Sequence, residues 1–500
     1  MYTSKTIEPH ETYDAAVCWL NEMQCVQAIT RKQKMDGYGL VVMKQLISRV
    51  GISLQDINNL NVIHITGTKG KGSTCAFIEN ILIHHGITTG FFNSPHLIEV
   101  RERIRINGKP ISKKLFATYF WEVFHKLDQT KDLFDVKFPP YFYFLTTLGY
   151  YVFVKEKVQA AIMEVGIGGT YDCTNIVEKP VVCGVSSLGI DHVSILGSTL
   201  SSIAWQKSGI FKPGSMAYTV VQPEEGASVI KSRAKELDSS LKVVSNMFDS
   251  FPLSELTLGL PGEHQKLNAS LATYIANYWL NKMGKISSNV MFSLSLKHIQ
   301  ALKTCYWNGR GQILKFDGLT FYLDGAHTPR SIRCASQWFS EFAEKEQQSL
   351  NTITRKVLIF NVTHDREVEP MFKDLKKCMF DFSAFTPNIT SHASPVVSDQ
   401  KNYTSSLEEK LLTSVQNFDS WNKLSSTCDS MVFPSISDVL LFLSRDKDNA
   451  LYKRIKEINN SDKSQSDMNR LNGEHFQILV TGSLHLVGGV LCLLKPDLND

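Results

Sequence analysis

Three glycines, Gly67, Gly70 and Gly72, bracket Lys69 and Lys71 and lead into Ser73 and Thr74 in "NVIHITGTKGKGSTCAFIENIL" (61–82). An apolar strand-like run precedes this turn and an apolar helix-like run follows it. Glycines let a backbone bend around an oxyanion, and a helix that starts there points its first N–H groups at the same spot. Lys71 would meet the β- and γ-phosphates of a nucleotide, and Ser73 or Thr74 can bind magnesium. The strict phosphate-loop pattern has four residues between its first Gly and the Gly-Lys pair, then Ser or Thr at once. Here the spacing G-T-K-G-K-G-S is tighter, with Gly72 after the lysine. A flexible strand–helix turn with solvated lysines is the plain alternative. The strand before, the helix after and the three glycines together favour a phosphate site.

Other polar residues stand at the ends of apolar runs. Glu164 closes "AAIMEVG", and Asp191 and His192 follow "CGVSSLGI". In an open parallel sheet, ligands sit beyond the carboxyl ends of the strands, where a carboxylate can hold magnesium against phosphates. His192 is a softer donor than magnesium prefers, and without the neighbouring motifs a lone histidine reads more readily as a hydrogen-bonded surface residue. Lys207 falls near the end of a helix-like stretch, where a cation complements the helix dipole. In "EVRERIRING" (99–108) the alternation predicts a strand with Arg101, Arg103 and Arg105 on one face and Glu102, Ile104 and Ile106 on the other. Three guanidiniums on one face suit an acidic substrate; an edge strand with a solvated basic face is the alternative. "WNGRGQ" (307–312) precedes "YLDGAHTPRS" (322–331), in which Asp324 and His327 fall at a strand end that could aim both at a cleft.

The elements needed to hold these residues are legible as an alternation. "NVIHIT", "VQAAIMEVG" (158–166) and "PVVCGVSSLG" (180–189) read as buried strands, near-continuously apolar as in a parallel sheet covered on both faces. Residues 73–85 read as a helix ended by Gly86, and 198–214 as a helix with Gly209 near its end and Pro213 beyond. After about residue 308 a second α/β unit begins, with strands expected in 319–327, 355–363, 381–388 and 476–483 and helices in 329–343 and 435–445. The polar stretches 388–406 and 459–474 read as loops. The expected fold class is therefore α/β, with domains at 1–308 and 309–500.

Composition narrows the function classes. The 500 residues carry 53 basic and 49 acidic side chains, a net charge of +4, so no footprint for nucleic acid is present. The ten cysteines form no CxxC pair, which argues against a structural zinc site. Cys75, Cys173, Cys183 and Cys492 sit in apolar or motif-rich surroundings that suit buried thiols in a reducing compartment. The start lacks the pattern of a signal or transit peptide. The most apolar stretch, 478–494, is broken by Thr-Gly-Ser, His485 and a Gly pair, and reads as strand, tight turn and buried helix rather than a membrane span.

"ITGTKGKGST", "SPHLIEVRERIRING", "EVGIGGTYDCTN", "SSLGIDHVSILGSTLSSIAWQKSGIFKPG", "GEHQKLNASLA", "YLDGAHTPRS" and "TGSLHLVGG" occur in this order. Together they resemble the folylpolyglutamate synthase family of the Mur ligase superfamily, over roughly residues 13–490 and thinning in 389–475. The wording "GGTYDCTN" and the length resemble its eukaryotic members. The resemblance implies an N-terminal P-loop ATPase domain with a mostly parallel sheet and a C-terminal Rossmann-like domain, with the active site between them. It implies that ATP phosphorylates the terminal γ-carboxylate of a reduced folate and that L-glutamate attacks the acyl phosphate. The loop Gly67, Thr68, Lys69, Gly70, Lys71, Gly72, Ser73 and Thr74, with Asn268, Arg310 and Asp324, would bind the nucleotide. Ser73, Glu164 and His192 would ligate Mg2+, and a monovalent cation is compatible with the family. Lys71, His327 and Lys207 would be catalytic, Lys207 matching a lysine that is carbamylated in many relatives. Ser94, Pro95, His96 and Arg103 would lie at the folate site.

The chain departs from the family's pattern at Asn308, where proline is usual, and at His364 and Glu367, which puts the roles of Asp365 and Arg366 in doubt. A monomer in the cytoplasm is expected, with a mitochondrial pool through an alternative start. Neither a nucleic acid nor membrane insertion is expected. Dihydrofolate synthase activity, alone or beside the first, is the rival within the family. A P-loop binding protein that cycles nucleotide without chemistry on a second substrate is the rival outside it.

Overall fold

A computed structural model describes residues 11–30, 37–249, 256–287, 294–350, 352–362, 366–391, 406–424, 428–459 and 473–499. Two compact units result, Met1–Tyr306 and Trp307–Asp500. The loop-like stretches 388–406 and 459–474 lie mostly outside the described residues, and so do His364 and Asp365.

The first unit is built on eight strands: β1 Ile63–Thr66, β2 Thr89–Phe92, β3 Ile104–Ile106, β4 Lys109–Pro110, β5 Ala160–Glu164, β6 Val182–Val185, β7 Met216–Val220 and β8 Ser240–Val244. Their spatial order is β4-β3-β2-β5-β1-β6-β7-β8. From β2 across to β8 every pairing is parallel; β3 and β4 add an antiparallel edge. β1 is central, and β1, β2, β5 and β6 are buried along their whole length. This explains the continuous apolar runs: both faces are covered, so no alternation is required. The chain leaves β1 towards β2 on one side and later enters β6 on the other, so the strand order reverses around β1. A crevice opens beyond the carboxyl ends at such a switch point.

The helix Lys71–His84 follows β1, two residues earlier than expected, and stops before Gly86, whose φ of 77° no β-carbon tolerates well. The helix Glu263–Lys282 packs along it, burying Trp279, whose indole N–H donates to the Asn61 carbonyl at 2.8 Å. The expected helix 198–214 is shorter, Leu200–Ser208, capped by the Thr199 hydroxyl on the Ser202 N–H.

Residues 99–108 do not form an alternating strand. Val100–Arg103 is a 3-10 turn, and only Ile104–Ile106 is extended. The cause is local: the Glu102 carboxylate accepts the N–H groups of Leu97, Ile98 and Glu99 at 2.8–3.0 Å, which curls the chain. The three arginines therefore share no face. Arg101 pairs with Glu99 at 2.8 Å, Arg103 with the His96 ring, and Arg105 with the buried Glu79 at 3.2 Å.

The second unit has six strands: β9 Gln312–Phe316, β10 Leu319–Leu323, β11 Thr354–Phe360, β12 Phe382–Phe385, β13 Asp429–Val432 and β14 His475–Thr481, in the order β13-β12-β11-β14-β10-β9. All pairings are parallel except the β9–β10 hairpin. Trp338 and Phe339 from the helix Pro329–Ser349 join Leu358, Phe360, Phe385 and Trp421 in its core. Each fully buried side chain of this size contributes about 1.5–3 kcal/mol. The stretch 478–494 is strand β14, Gly482 at φ 98° and the buried helix Leu484–Leu494. Among the described residues no helix is long and apolar enough to cross a membrane. Cys75, Cys173 and Cys183 are buried free thiols, but Cys492 is exposed: it falls on the outer side of its helix.

Candidate functional site

The turn after β1 is held open by the segment that follows β6. The Thr68 and Lys69 N–H groups donate to the Ser187 carbonyl at 3.0 and 3.1 Å, and the Ser186 hydroxyl donates to the Lys69 carbonyl at 2.8 Å. Thr68 and Gly189 exchange two further bonds at 3.0 and 3.1 Å. Gly67 (φ 145°) and Gly70 (φ 87°) are required here for space as well as for backbone angle. A β-carbon on Gly67 would lie 1.9 Å from Ser186 Oγ, and one on Gly70 would lie 2.2 Å from Asn268 Oδ1. Gly70 is also the N-cap of the helix Lys71–His84, with no side chain satisfying the first helical N–H groups. Those groups and the helix dipole make a ready anion site.

Three lysines converge on this turn. Lys207 is 4 % exposed, and its Nζ donates to the Gly67 carbonyl at 2.8 Å. Burial, reinforced by the charge of Lys71, lowers its pKa to about 7. Lys69 pairs with Asp191 at 3.0 Å. Burial alone would raise Asp191, but the charge and hydrogen bond of Lys69 bring it down to about 2. His192 follows in a left-handed conformation (φ 51°) and opens the short helix Val193–Leu196. Local desolvation lowers its pKa, Asp191 acts against this, and Lys71, Lys207 and Lys69 add to the lowering. The lysines thus act on His192 as like charges, with Asp191 opposing them.

Lys207 is carried there by a second set of contacts that the sequence did not disclose. Asp172 accepts the N–H groups of Gly166, Ile167 and Thr174 and the Thr174 hydroxyl, at 2.6–3.1 Å. This folds the loop after β5 into a fixed shape. Thr170 then bonds the Gln206 carbonyl through both its N–H and its hydroxyl, and Asn175 Nδ2 donates to the Thr170 and Gly209 carbonyls. Gly169 approaches so closely that a β-carbon would meet the Lys207 carbonyl at 2.7 Å. The end of the helix Leu200–Ser208 is thereby clamped, and its last turn delivers Lys207 to Gly67.

Glu164, 4 % exposed, ends β5 level with Ile65 of β1 and accepts the Ser94 N–H at 3.2 Å. Ser94 precedes Pro95 through a cis peptide bond. His96 Nδ1 accepts from Arg103 Nε at 3.0 Å, and the Arg103 guanidinium lies 5.5 Å from the Tyr141 ring centre. The structure thus gathers Ser94, His96 and Arg103 beside the end of β5. The buried Ser73 hydroxyl accepts from Gln265 Nε2 at 3.3 Å, and Asn268 Nδ2 donates to Gln265 Oε1 at 2.9 Å. Gln265 was missed: it stands 192 residues from Ser73, and only the helix Glu263–Lys282 brings the two together.

Among the described residues no three His, Cys, Asp or Glu side chains form a metal-binding group. Ser73 and Glu164 nevertheless supply hard oxygen donors. That suits magnesium, which takes one or two protein oxygens and fills its shell with phosphate and water.

In the second unit, Asp324 follows β10. Its carboxylate accepts the Gly311 and Ala326 N–H groups, both at 2.9 Å, and so ties the segment after Gly309 to the end of the strand. The Gly325 N–H donates to the Gly309 carbonyl, and Arg310 lies so close that a β-carbon on Gly325 would clash with its guanidinium. His327 Nδ1 donates to the Gly325 carbonyl at 2.8 Å, which places the neutral ring's proton on that nitrogen. The Arg366 guanidinium donates to the His327 carbonyl at 3.2 Å. Asp324, Arg310 and His327 thus form one cluster at the carboxyl edge of the second sheet.

No family model matches the chain. Among curated proteins it is 41 % identical, over 550 residues, to the mitochondrial folylpolyglutamate synthase of Homo sapiens, covering 99 % of this chain and 93 % of that one. It is 38 % identical, over 512 residues, to a folylpolyglutamate synthase of Saccharomyces cerevisiae, covering 96 % and 86 %. Its fold is similar to that of a Mycobacterium tuberculosis folylpolyglutamate synthase complexed with ADP, with a TM-score of 0.69 at 22 % identity over 97 % of this chain and 99 % of that one. With near-complete coverage at this identity, the chain belongs to the folylpolyglutamate synthase family.

Proposed function

We propose that this protein is an ATP-dependent ligase that joins L-glutamate to the γ-carboxylate of a reduced folate. The observation that carries the reading is the phosphate turn: a glycine-bent loop at a sheet switch point, faced by Lys71, Lys69 and a buried Lys207, in a chain 41 % identical to a folylpolyglutamate synthase.

A carboxylate is a poor electrophile, and an amine does not displace oxide from it. Transfer of the γ-phosphoryl group of ATP to the folate γ-carboxylate makes a mixed anhydride and releases ADP. The glutamate amine then attacks the acyl carbon, phosphate leaves, and an amide remains. Most of the barrier to phosphoryl transfer is lowered by positioning and charge neutralisation. The N–H groups at the start of the helix Lys71–His84 and the Lys71 ammonium hold the phosphates, with Thr68, Gly72 and Thr74 completing the cradle. Ser73 and Glu164 are the residues that would hold Mg2+, with His192 as a softer third donor. When bound, the ion offsets phosphate charge. Gln265 orients the Ser73 hydroxyl. Lys207, with a pKa of about 7, holds a substantial neutral fraction near physiological pH; the neutral amine is the form that takes up carbon dioxide, so carbamylation is chemically open to it.

We assign Asn268, Arg310 and Asp324 to the nucleotide and His327 to the phosphate or the incoming glutamate. Ser94, Pro95, His96 and Arg103 are assigned to the folate. We assign the ATP-driven ligation to a monomer in the cytoplasm, with a mitochondrial pool through an alternative start and no nucleic acid partner.

The experiment is incubation of the purified protein with ATP, labelled glutamate and either tetrahydrofolate or dihydropteroate, with the labelled products sized. Glutamate-dependent ADP release and lengthened tetrahydrofolate products are expected. Labelled product from dihydropteroate alone would replace the reading with dihydrofolate synthase activity. ADP release indifferent to glutamate would refute ligation.

A further inference from the structure

The helix Tyr38–Arg49 and the segment from Asn175 to Glu178 line a half-open pocket of about 270 Å³ that contains none of the residues assigned above. Leu40, Val41, Ile176 and Val177 make its walls apolar. Three charged side chains reach it. Lys44 and Glu178 pair with each other at 3.0 Å, each about half exposed, so they form a solvated pair at the mouth. Lys212 is different. It is half-buried, and the one hydrogen bond of its ammonium among the described residues, to the Asn175 carbonyl, is long at 3.4 Å. An ammonium has three donors, so two of them are unspent. Burial lowers the Lys212 pKa, as expected for a cation short of partners. Glu178 acts on Lys212 only at a distance and is paired with Lys44, so two cations against one carboxylate leave the lining with a net charge of +1.

We propose that this cavity binds a compact apolar monoanion, an aromatic or branched carboxylate, whose charge meets Lys212 and whose body lies against Leu40, Val41, Ile176 and Val177. The size argues for a compact molecule rather than a peptide, since 270 Å³ falls just below the range of about 300–1,000 Å³ usual for small-molecule pockets. The cavity also communicates with the phosphate turn. Asn175, on its wall, holds the Thr170 and Gly209 carbonyls, which clamp the helix that bears Lys207.

The test uses benzoate as probe and benzamide as its neutral match, titrated into the full-length protein by calorimetry and by ligand-observed NMR. Saturable benzoate binding is expected, with benzamide at least about tenfold weaker. Lys212→Met should weaken benzoate at least about tenfold. Because Lys212 is half-buried, a second variant is needed. Val41→Glu changes an exposed helix position, 51 % exposed, and sets a like charge at the mouth; it should weaken benzoate similarly while leaving the circular dichroism unchanged. Absence of saturable benzoate binding, equal binding of benzamide, or benzoate binding unchanged in the folded Val41→Glu variant would each overturn the proposal.

Discussion

Replacing Lys207 with methionine should remove a titration from the stability of the first unit. In the folded protein burial and the neighbouring Lys71 charge lower this lysine from 10.5 to about 7. The unfolded chain therefore binds more protons than the folded one between about pH 7 and 10.5, and stability from this group rises with pH across that window. Below pH 7 both states are protonated and the full cost of the buried charge is present. Above 10.5 it is gone. At about 1.36 kcal/mol per unit, the span from 10.5 to about 7 corresponds to a cost on the order of 5 kcal/mol, offset in part by the hydrogen bond to the Gly67 carbonyl. Large domains shift by about 2 °C per kcal/mol. The melting temperature of the wild type minus that of Lys207→Met should then climb by roughly 2–3 °C per pH unit from pH 7 to 10. The melts are run in bicarbonate-free buffer, so that carbamylation does not consume the amine. Melting curves that stay parallel across this range would refute the assignment of Lys207 as a buried cation held well below its ordinary pKa.

Other substitutions test the phosphate turn and its support. Lys71→Ala should lower turnover by at least about 10²- to 10³-fold with an unchanged circular dichroism spectrum; retained glutamate incorporation would remove this lysine from the mechanism. Gly70→Ala forces a β-carbon to 2.2 Å from Asn268 Oδ1 and into a left-handed backbone, so ADP affinity by calorimetry should fall at least about tenfold, since the backbone alone costs about 1–2 kcal/mol. Gly214→Ala is the control: its φ is also positive, at 70°, but the space is open, so nucleotide affinity should be unchanged. Asp172→Ala leaves four donors without their acceptor; at about 1–3 kcal/mol for each unsatisfied buried group, chemical denaturation should show a loss above about 3 kcal/mol.

Features set by local chemistry were the ones visible in the chain. Gly67 and Gly70 are needed because of backbone angle and close approach, so "GTKGKGST" announces its own geometry. The buried runs of β1, β5, β6 and β10, and the inner ends of β11 and β14, are continuous because two covered faces impose no alternation. Legibility failed in three physical circumstances. The acceptor Glu102 captured three backbone N–H groups and overrode a strand-like alternation in 100–103. The short strand Asp429–Val432 sits at an edge, only partly buried, and lacks the apolar density that marks the others. The contacts Lys207–Gly67 and Gln265–Ser73 join residues 140 and 192 positions apart, and no local pattern encodes them. The sequence placed the unit boundary at 308/309; compactness divides the chain after Tyr306.

The claim on which the rest depends is that the phosphoryl group passes through the folate carboxylate. It is tested by supplying the folate with 18O in its γ-carboxyl group, adding ATP and L-glutamate, and analysing the released inorganic phosphate by mass spectrometry. An acyl phosphate hands one carboxyl oxygen to the phosphate, so one 18O should appear in each phosphate released per amide formed. Phosphate free of label, with glutamate still incorporated, would contradict the mechanism.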